Sequence, residues 1–274
     1  MRKLLLIVSL LVVLSATPAL AVTYGALDGN DHPQVGLMVA LDKGDNPLWR
    51  CSGTLISPTH FLTAGHCTEP PAKRATIWFD ADVESGRPGN GYPTEPDKPF
   101  VGDVFGTTYT HPQYNPNAFW RYDLGMVVLD TPVTGVTYAK LPALNELDKY
   151  QKKAKKNKAW FTAVGYGLQR SFGNPLNWKN NSERVRMVAT PKLIQINVPG
   201  STGTQTLILS NNANTGGTCF GDSGGPNFLK DTLKIAGVTS FGKNGQCAGQ
   251  GGVYRVDRAD DLEWLEKEFG VTPP

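Results

Sequence analysis

Glycine and proline punctuate this chain so densely that only short elements fit between them: 30 glycines and 20 prolines are spread over 274 residues. Between these breakers lie short apolar or alternating runs: QVGLMVAL (34–41), TLISPTHFLTAG (54–65), LGMVVL (124–129), AWFTAVGYG (159–167), ERVRMVATP (183–191), LKIAGVTSFG (233–242) and GGVYRV (251–256). Short runs bounded by turn residues predict strands, so the chain reads as all-β. ERVRMVA alternates charged with apolar residues, as a half-buried strand does. The exception is DRADDLEWLEKEFG, which predicts one C-terminal helix with Asp257 or Asp260 as cap, Leu262, Leu265 and Phe269 on one face and Gly270 as stop. Two segments read as loops. SGRPGNGYPTEPDKP (85–99) holds four prolines and three glycines, and QRSFGNPLNWKNNS (169–182) contains the glycosylation triplet Asn180–Asn181–Ser182. No internal repeat is visible.

The amino-terminal end reads as an export signal. Met1, Arg2 and Lys3 precede an apolar run from Leu4 to Leu14, and Ala19–Leu20–Ala21 has the small-any-small form of a peptidase site. The competing reading, an uncleaved anchor, is opposed by length, because a membrane span needs about 20 apolar residues. Removing residues 1–21 takes away Arg2 and Lys3, so the formal charge falls from +3 to 25 − 24 = +1. Without a concentrated basic surface, nucleic-acid binding is not expected. The six lysines of KYQKKAKKNK (149–158) read as a solvated loop and mark the expected junction between two halves, 22–145 and 146–274. Cys51, Cys67, Cys219 and Cys247 in an exported chain predict disulfides, for which three pairings are formally possible. None of the cysteines has the short spacing of a zinc knuckle.

The stretch TCFGDSGGPNF (218–228) places Ser223 among residues with almost no side chain, which suggests that the backbone there must come close to something. A serine nucleophile needs a base. Of His32, His60, His66 and His111, the candidate is His66, because Ala64 and Gly65 leave room around its ring and a bridged Cys67 would fix its turn. The bland alternative for any lone histidine is a structural hydrogen bond. The acid that orients the base should sit at a cleft in an apolar segment, which Asp123 of YDLGMVVLD does. Asp130, ahead of Thr131 and Pro132, reads as a turn.

TAGHC, DLGMVVL and GDSGGP, in the order histidine, aspartate, serine, resemble the trypsin and chymotrypsin family of serine proteases over essentially the whole mature chain. The resemblance implies two antiparallel six-stranded β-barrels packed face to face, with a C-terminal α-helix alongside. It implies a secreted, monomeric endopeptidase acting on protein or peptide substrates. No cofactor, metal, nucleic acid or, once the leader is removed, membrane is expected to take part. His66, Asp123 and Ser223 would form the catalytic triad, and the N–H groups of Gly221 and Ser223 the oxyanion hole. Ser240 would hydrogen-bond Asp123. The implied disulfides are Cys51–Cys67, bracing the histidine, and Cys219–Cys247, bracing the serine loop.

The same resemblance implies activation by a new amino terminus that pairs with the aspartate before the serine. Cleavage after Ala21 would expose VTYG and match Val22 with Asp222; the alternative is that VTYG is an edge strand. The substrate pocket is expected at Gly217, Thr218, Ser240, Phe241, Gly242 and Gly252, with no aspartate at its base. That favours a large apolar side chain before the scissile bond over lysine or arginine. Phe241 stands where the family commonly has tryptophan. Two rival functions fit the same sequence: an inactive binding protein that keeps the fold, and an esterase that uses the same acyl-enzyme chemistry.

Overall fold

The computed structural model describes residues 21–95, 97–151, 159–170 and 182–274. The leader apart from Ala21, most of the lysine-rich stretch, and Asn180 and Asn181 of the glycosylation triplet lie outside the described residues. Among the described residues fourteen strands form two sheets. Six of them close into an antiparallel barrel in the order β2 (Val35–Leu41), β3 (Pro47–Leu55), β4 (His60–Thr63), β7 (Gly125–Leu129), β6 (Val104–Thr110) and β5 (Arg74–Trp78). All seven residues of β2 are buried, because one face points into the barrel and the other is covered.

The second sheet departs from the expected second barrel. It has eight strands and stays open, in the order β1 (Ala26–Leu27), β9 (Met187–Ala189), β8 (Phe161–Gly165), β12 (Pro226–Leu229), β13 (Ile235–Gly242), β14 (Gly249–Arg255), β11 (Gly203–Asn211) and β10 (Leu193–Val198). It curls until its ends nearly meet: Trp160 bridges Lys192, and the Phe161 N–H donates to the Pro191 carbonyl. Closure as one continuous ladder fails between β9 and β10, where Pro191 has no N–H to give and the Thr190 N–H is taken by Thr215. The first half also contributes to this sheet, since Ala26 and Leu27 of β1 pair with Val188 and Met187.

Strand alternation divides the core in two. Leu207, Leu209, Phe161, Ala236 and Val253 fill the curl of the open sheet. Tyr254, Val238, Ile235 and Phe228 share one continuous apolar cluster with the closed barrel. The predicted helix is present as α2 (Ala259–Phe269) and ends at Gly270, φ 64°. Its start differs from expectation. Arg258 is the N-cap and makes no side-chain cap, because Asp257 is engaged by the Arg255 guanidinium and the Leu147 N–H. Leu262 and Leu265 are buried, and Phe269 packs edge-on against His60 and Tyr109 of the closed barrel.

ERVRMVA also departs from its pattern. Arg186 is fully buried, where its guanidinium bonds Asp28 at 2.9 Å and donates to the carbonyls of Val35, Phe79 and Gly29. A buried charge satisfied at every corner is indistinguishable in sequence from an exposed one.

Candidate active site

Three elements bring His66, Asp123 and Ser223 to one cleft. β4 delivers the chain into the single turn α1 (Gly65–Thr68), which carries His66. Two braces hold that turn: the Cys51–Cys67 disulfide and a 3.0 Å hydrogen bond from the Trp49 indole N–H to the Cys67 carbonyl. Gly65 packs directly against Leu124, and a Cβ there would lie 3.1 Å from the Leu124 nitrogen. The turn therefore rests on the residue that follows Asp123.

Asp123 is fully buried and receives three donors. Its Oδ1 accepts the His66 backbone N–H at 2.9 Å, its Oδ2 lies 3.0 Å from His66 Nδ1, and the Ser240 hydroxyl donates to Oδ2 at 2.5 Å. The ring nitrogen that faces Asp123 is thereby a donor, which leaves Nε2 as the acceptor of the neutral imidazole. Burial opposes protonation of His66. The charge and hydrogen bond of Asp123, with the nearby Glu69 carboxylate, outweigh it and lift the pKa above the ordinary 6.5.

Ser223 is half-buried and lines two cavities together with His66. Its hydroxyl makes no hydrogen bond to His66 among the described residues; in such sites that contact tightens when substrate arrives. The turn around it is shaped by close backbone contacts. Gly224, at φ 78°, packs so tightly that an added Cβ would fall 2.0 Å from Thr63 Oγ1. Gly221, at φ 95°, has its carbonyl held at 2.8 Å by the Ser52 hydroxyl, which in turn accepts the Tyr166 N–H at 3.0 Å. The Phe220 carbonyl accepts the Leu168 N–H at 2.9 Å. Because C=O and N–H of a trans peptide point in opposite directions, this contact turns the Gly221 N–H away from Leu168. Neither the Gly221 N–H nor the Ser223 N–H has an acceptor among the described residues.

Asp222, between them, is fully buried and accepts the N–H groups of Gly167 at 2.7 Å and Cys219 at 2.8 Å. Burial pushes its carboxyl up to about 7, against the pull of those two bonds and of the Arg50 charge. Val22 is fully buried among Val185, Met187 and Ala189, while the Thr23 carbonyl accepts the Gly217 N–H at 3.0 Å.

Of the six residues expected to form the substrate pocket, Thr218, Ser240, Phe241 and Gly242 line a cavity of about 540 Å³ beside Ser223. Gly217 and Gly252 do not. The Asn211 side chain fills the space beside Gly217, within 2.4 Å of where a Cβ would sit, and the Phe241 ring lies over Gly252 at 2.3 Å from the equivalent point. Asn244, Gly245 and Thr239 also line it, and among the described residues no Asp, Glu, Lys or Arg lines the cavity. Sequence reasoning missed Asn244 and Gly245, which sit on the loop closed by the Cys219–Cys247 disulfide. It also missed Ser52, whose only signal was its place beside Cys51. The one clustering of possible metal ligands among the described residues is Cys51, His66 and Cys67, and there both sulfurs are consumed by their disulfide.

Comparison with known proteins places this arrangement. Residues 28–262 match the Trypsin family model. The chain is 30% identical to "Serine protease 1" of Drosophila melanogaster over 261 residues, covering 91% of this chain and 85% of that protein. It is 29% identical to "Trypsin" of Saccharopolyspora erythraea, covering 84% and 91%. The solved structure of HL collagenase superposes with a TM-score of 0.66 at 21% identity, over 91% of this chain and 98% of that one.

Proposed function

The chain belongs to the trypsin family of serine endopeptidases, and from that premise we propose that His66, Asp123 and Ser223 are its triad and that it is secreted and cleaves protein or peptide substrates after large apolar residues. The observation that carries the reading is the contact of His66 Nδ1 with the buried Asp123 carboxylate at 3.0 Å, with the opposite ring edge and Ser223 on a shared cavity. His66 Nε2 takes the Ser223 proton as the hydroxyl attacks the scissile carbonyl and returns it to the leaving amine, while Asp123 holds the tautomer and stabilises the imidazolium. The unoccupied N–H groups of Gly221 and Ser223 receive the developing oxyanion; one such donor is typically worth about 100- to 1000-fold in rate. The apolar preference is supported by the uncharged wall of Thr218, Ser240, Phe241, Gly242 and Asn244. Export is supported by the leader sequence and by two disulfides, which persist in oxidising compartments.

Maturation follows from the same cleft. In the full-length chain Asp222 is answered by two backbone N–H groups and no amine, so its charge is suppressed. Val22 meanwhile holds φ 46°, a costly conformation for a β-branched residue. A chain that begins at Val22 loses the peptide bond that makes φ 46° costly and gains an ammonium to pair with Asp222.

A fluorophosphonate probe is expected to label the wild type and not Ser223→Ala. A panel of chromogenic peptides differing only before the scissile bond is expected to turn over Phe and Leu faster than Arg. Labelling that survives Ser223→Ala would defeat the triad, and preferred cleavage after Arg the pocket.

A further inference from the structure

The second cavity at Ser223 differs from the first in charge. It measures about 520 Å³ and shares His66, Ser223 and Phe220 with the apolar pocket, but its remaining wall includes Arg50, Glu69, Tyr92 and Gly221. If the apolar pocket takes the residue before the scissile bond, this cavity takes the residues after it. We propose that Arg50 selects substrates bearing an acidic side chain within two residues after the scissile bond, by pairing its guanidinium with that carboxylate. The inference rests on the catalytic reading given above and adds a charge requirement to it.

Arg50 is half-buried and forms no salt bridge among the described residues. One of its terminal nitrogens donates to Ser182 Oγ at 3.2 Å, and the Tyr92 hydroxyl is beside it. The undescribed residues contain no aspartate or glutamate, so every side-chain carboxylate of the chain lies within the described structure. None of them forms an ion pair with Arg50.

The acid in that corner, Glu84, is already committed, at 2.6 Å to Arg87 and 2.8 Å to Arg184. Those two guanidiniums lie over the Tyr92 ring, 5.1 and 5.4 Å from its centroid. Arg50, Arg87 and Arg184 thus gather around Tyr92, and Glu84 is taken by the latter two. Asp222 feels the Arg50 charge, but it is sealed beneath the serine turn with its oxygens turned to Gly167 and Cys219. A partly desolvated cation without an anion is a standing cost that an incoming carboxylate removes.

Two further details set where that carboxylate must sit. A Cβ built on Gly221 would be 3.3 Å from an Arg50 terminal nitrogen, so the guanidinium lies beside the proposed oxyanion donor and reaches only the first residues past the cut bond. Glu69 stands on the same cavity near His66, where it repels an acid and confines it to the Arg50 wall.

The test uses quenched fluorescent peptides identical up to the scissile bond, with Asp, Asn or Lys at the first or second position after it. The full-length protein, matured to its active form, is compared with Arg50→Gln and Arg50→Glu. Each variant is normalised to the fraction labelled by fluorophosphonate, and the readout is the Asp-to-Lys ratio of kcat/KM within one variant, which cancels differences in folded fraction. Wild type should favour Asp by about tenfold or more at one position, in line with a hydrogen bond to a charged group. Arg50→Gln should bring the ratio near 1, and Arg50→Glu should invert it. A wild-type ratio near 1, or a ratio unchanged in Arg50→Gln, overturns the inference and leaves the endopeptidase reading intact. A loss in Arg50→Gln that is equal for all three peptides also overturns it, because it makes Arg50 an electrostatic aid to the oxyanion. No turnover of any peptide and no Ser223-dependent labelling overturns both.

Discussion

Asp123 and Asp222 are both fully buried beside the same serine, yet they are buried on different terms. Asp123 meets an imidazole, a backbone N–H and a hydroxyl. Asp222 meets two backbone N–H groups, and its carboxyl is pushed up to about 7 by burial. The contrast lies in the partners each carboxyl meets and not in its depth of burial. On the maturation proposed above, the new amino terminus at Val22 would supply Asp222 with a charged partner that the full-length chain lacks.

The largest effect expected at the first site is that of Asp123→Asn. The amide still accepts from Ser240 but no longer fixes the His66 tautomer, and kcat should fall about 10⁴-fold, as it does in such triads. A loss below tenfold in labelled enzyme would break the contrast between the two carboxylates. Between the sites, Gly221→Ala forces a side chain onto φ 95° with its Cβ 3.1 Å from Gly167 Cα, displacing the Gly221 N–H. The expected loss is about 100- to 1000-fold in kcat with a small change in KM. Ser240→Ala removes one of three donors to Asp123, and roughly tenfold in kcat/KM is expected from a bond of this kind.

Asp222→Asn sharpens the comparison through stability. The folded pKa of about 7 lies above the usual 3.8, so the folded full-length chain keeps a proton that the unfolded chain releases. The contribution of Asp222 is then full below pH 3.8 and is lost as pH rises through about 7. Thermal unfolding of full-length Ser223→Ala should show this fall, and adding Asp222→Asn should flatten it. In a chain beginning at Val22 the sign should reverse, with Asp222→Asn destabilising at neutral pH. The smallest expected change concerns His66. Activity needs the neutral ring, so the acid limb of kcat/KM should lie above pH 6.5, and Glu69→Gln should move it down by removing one raising charge.

Much of this site was legible in sequence because its chemistry is local to three short stretches. TAGHC, DLGMVVL and GDSGGP each carry their functional group within a rigid turn or at a strand end, and the pairing of all four cysteines followed from the same resemblance. What was not legible depends on partners distant in sequence. Arg186 looked like the exposed half of an alternating strand until Asp28 and four carbonyl or hydroxyl oxygens closed around it. Gly217 and Gly252 looked like open pocket walls, and nothing in their neighbourhoods announces that Asn211 and Phe241 occupy the space. The open second sheet turns on Pro191, a residue that sequence reading placed at the end of a strand.

The pairing of β1 with β9 carries a lesson for anyone recombining relatives of this protein. A crossover near residue 145 would separate Ala26 and Leu27 from their ladder and strip Asp28 from a guanidinium that has no route to water. Chimeras that inherit residues 26–30 and Arg186 from the same parent should therefore yield soluble product more often than chimeras that split them, whatever the origin of the intervening barrel.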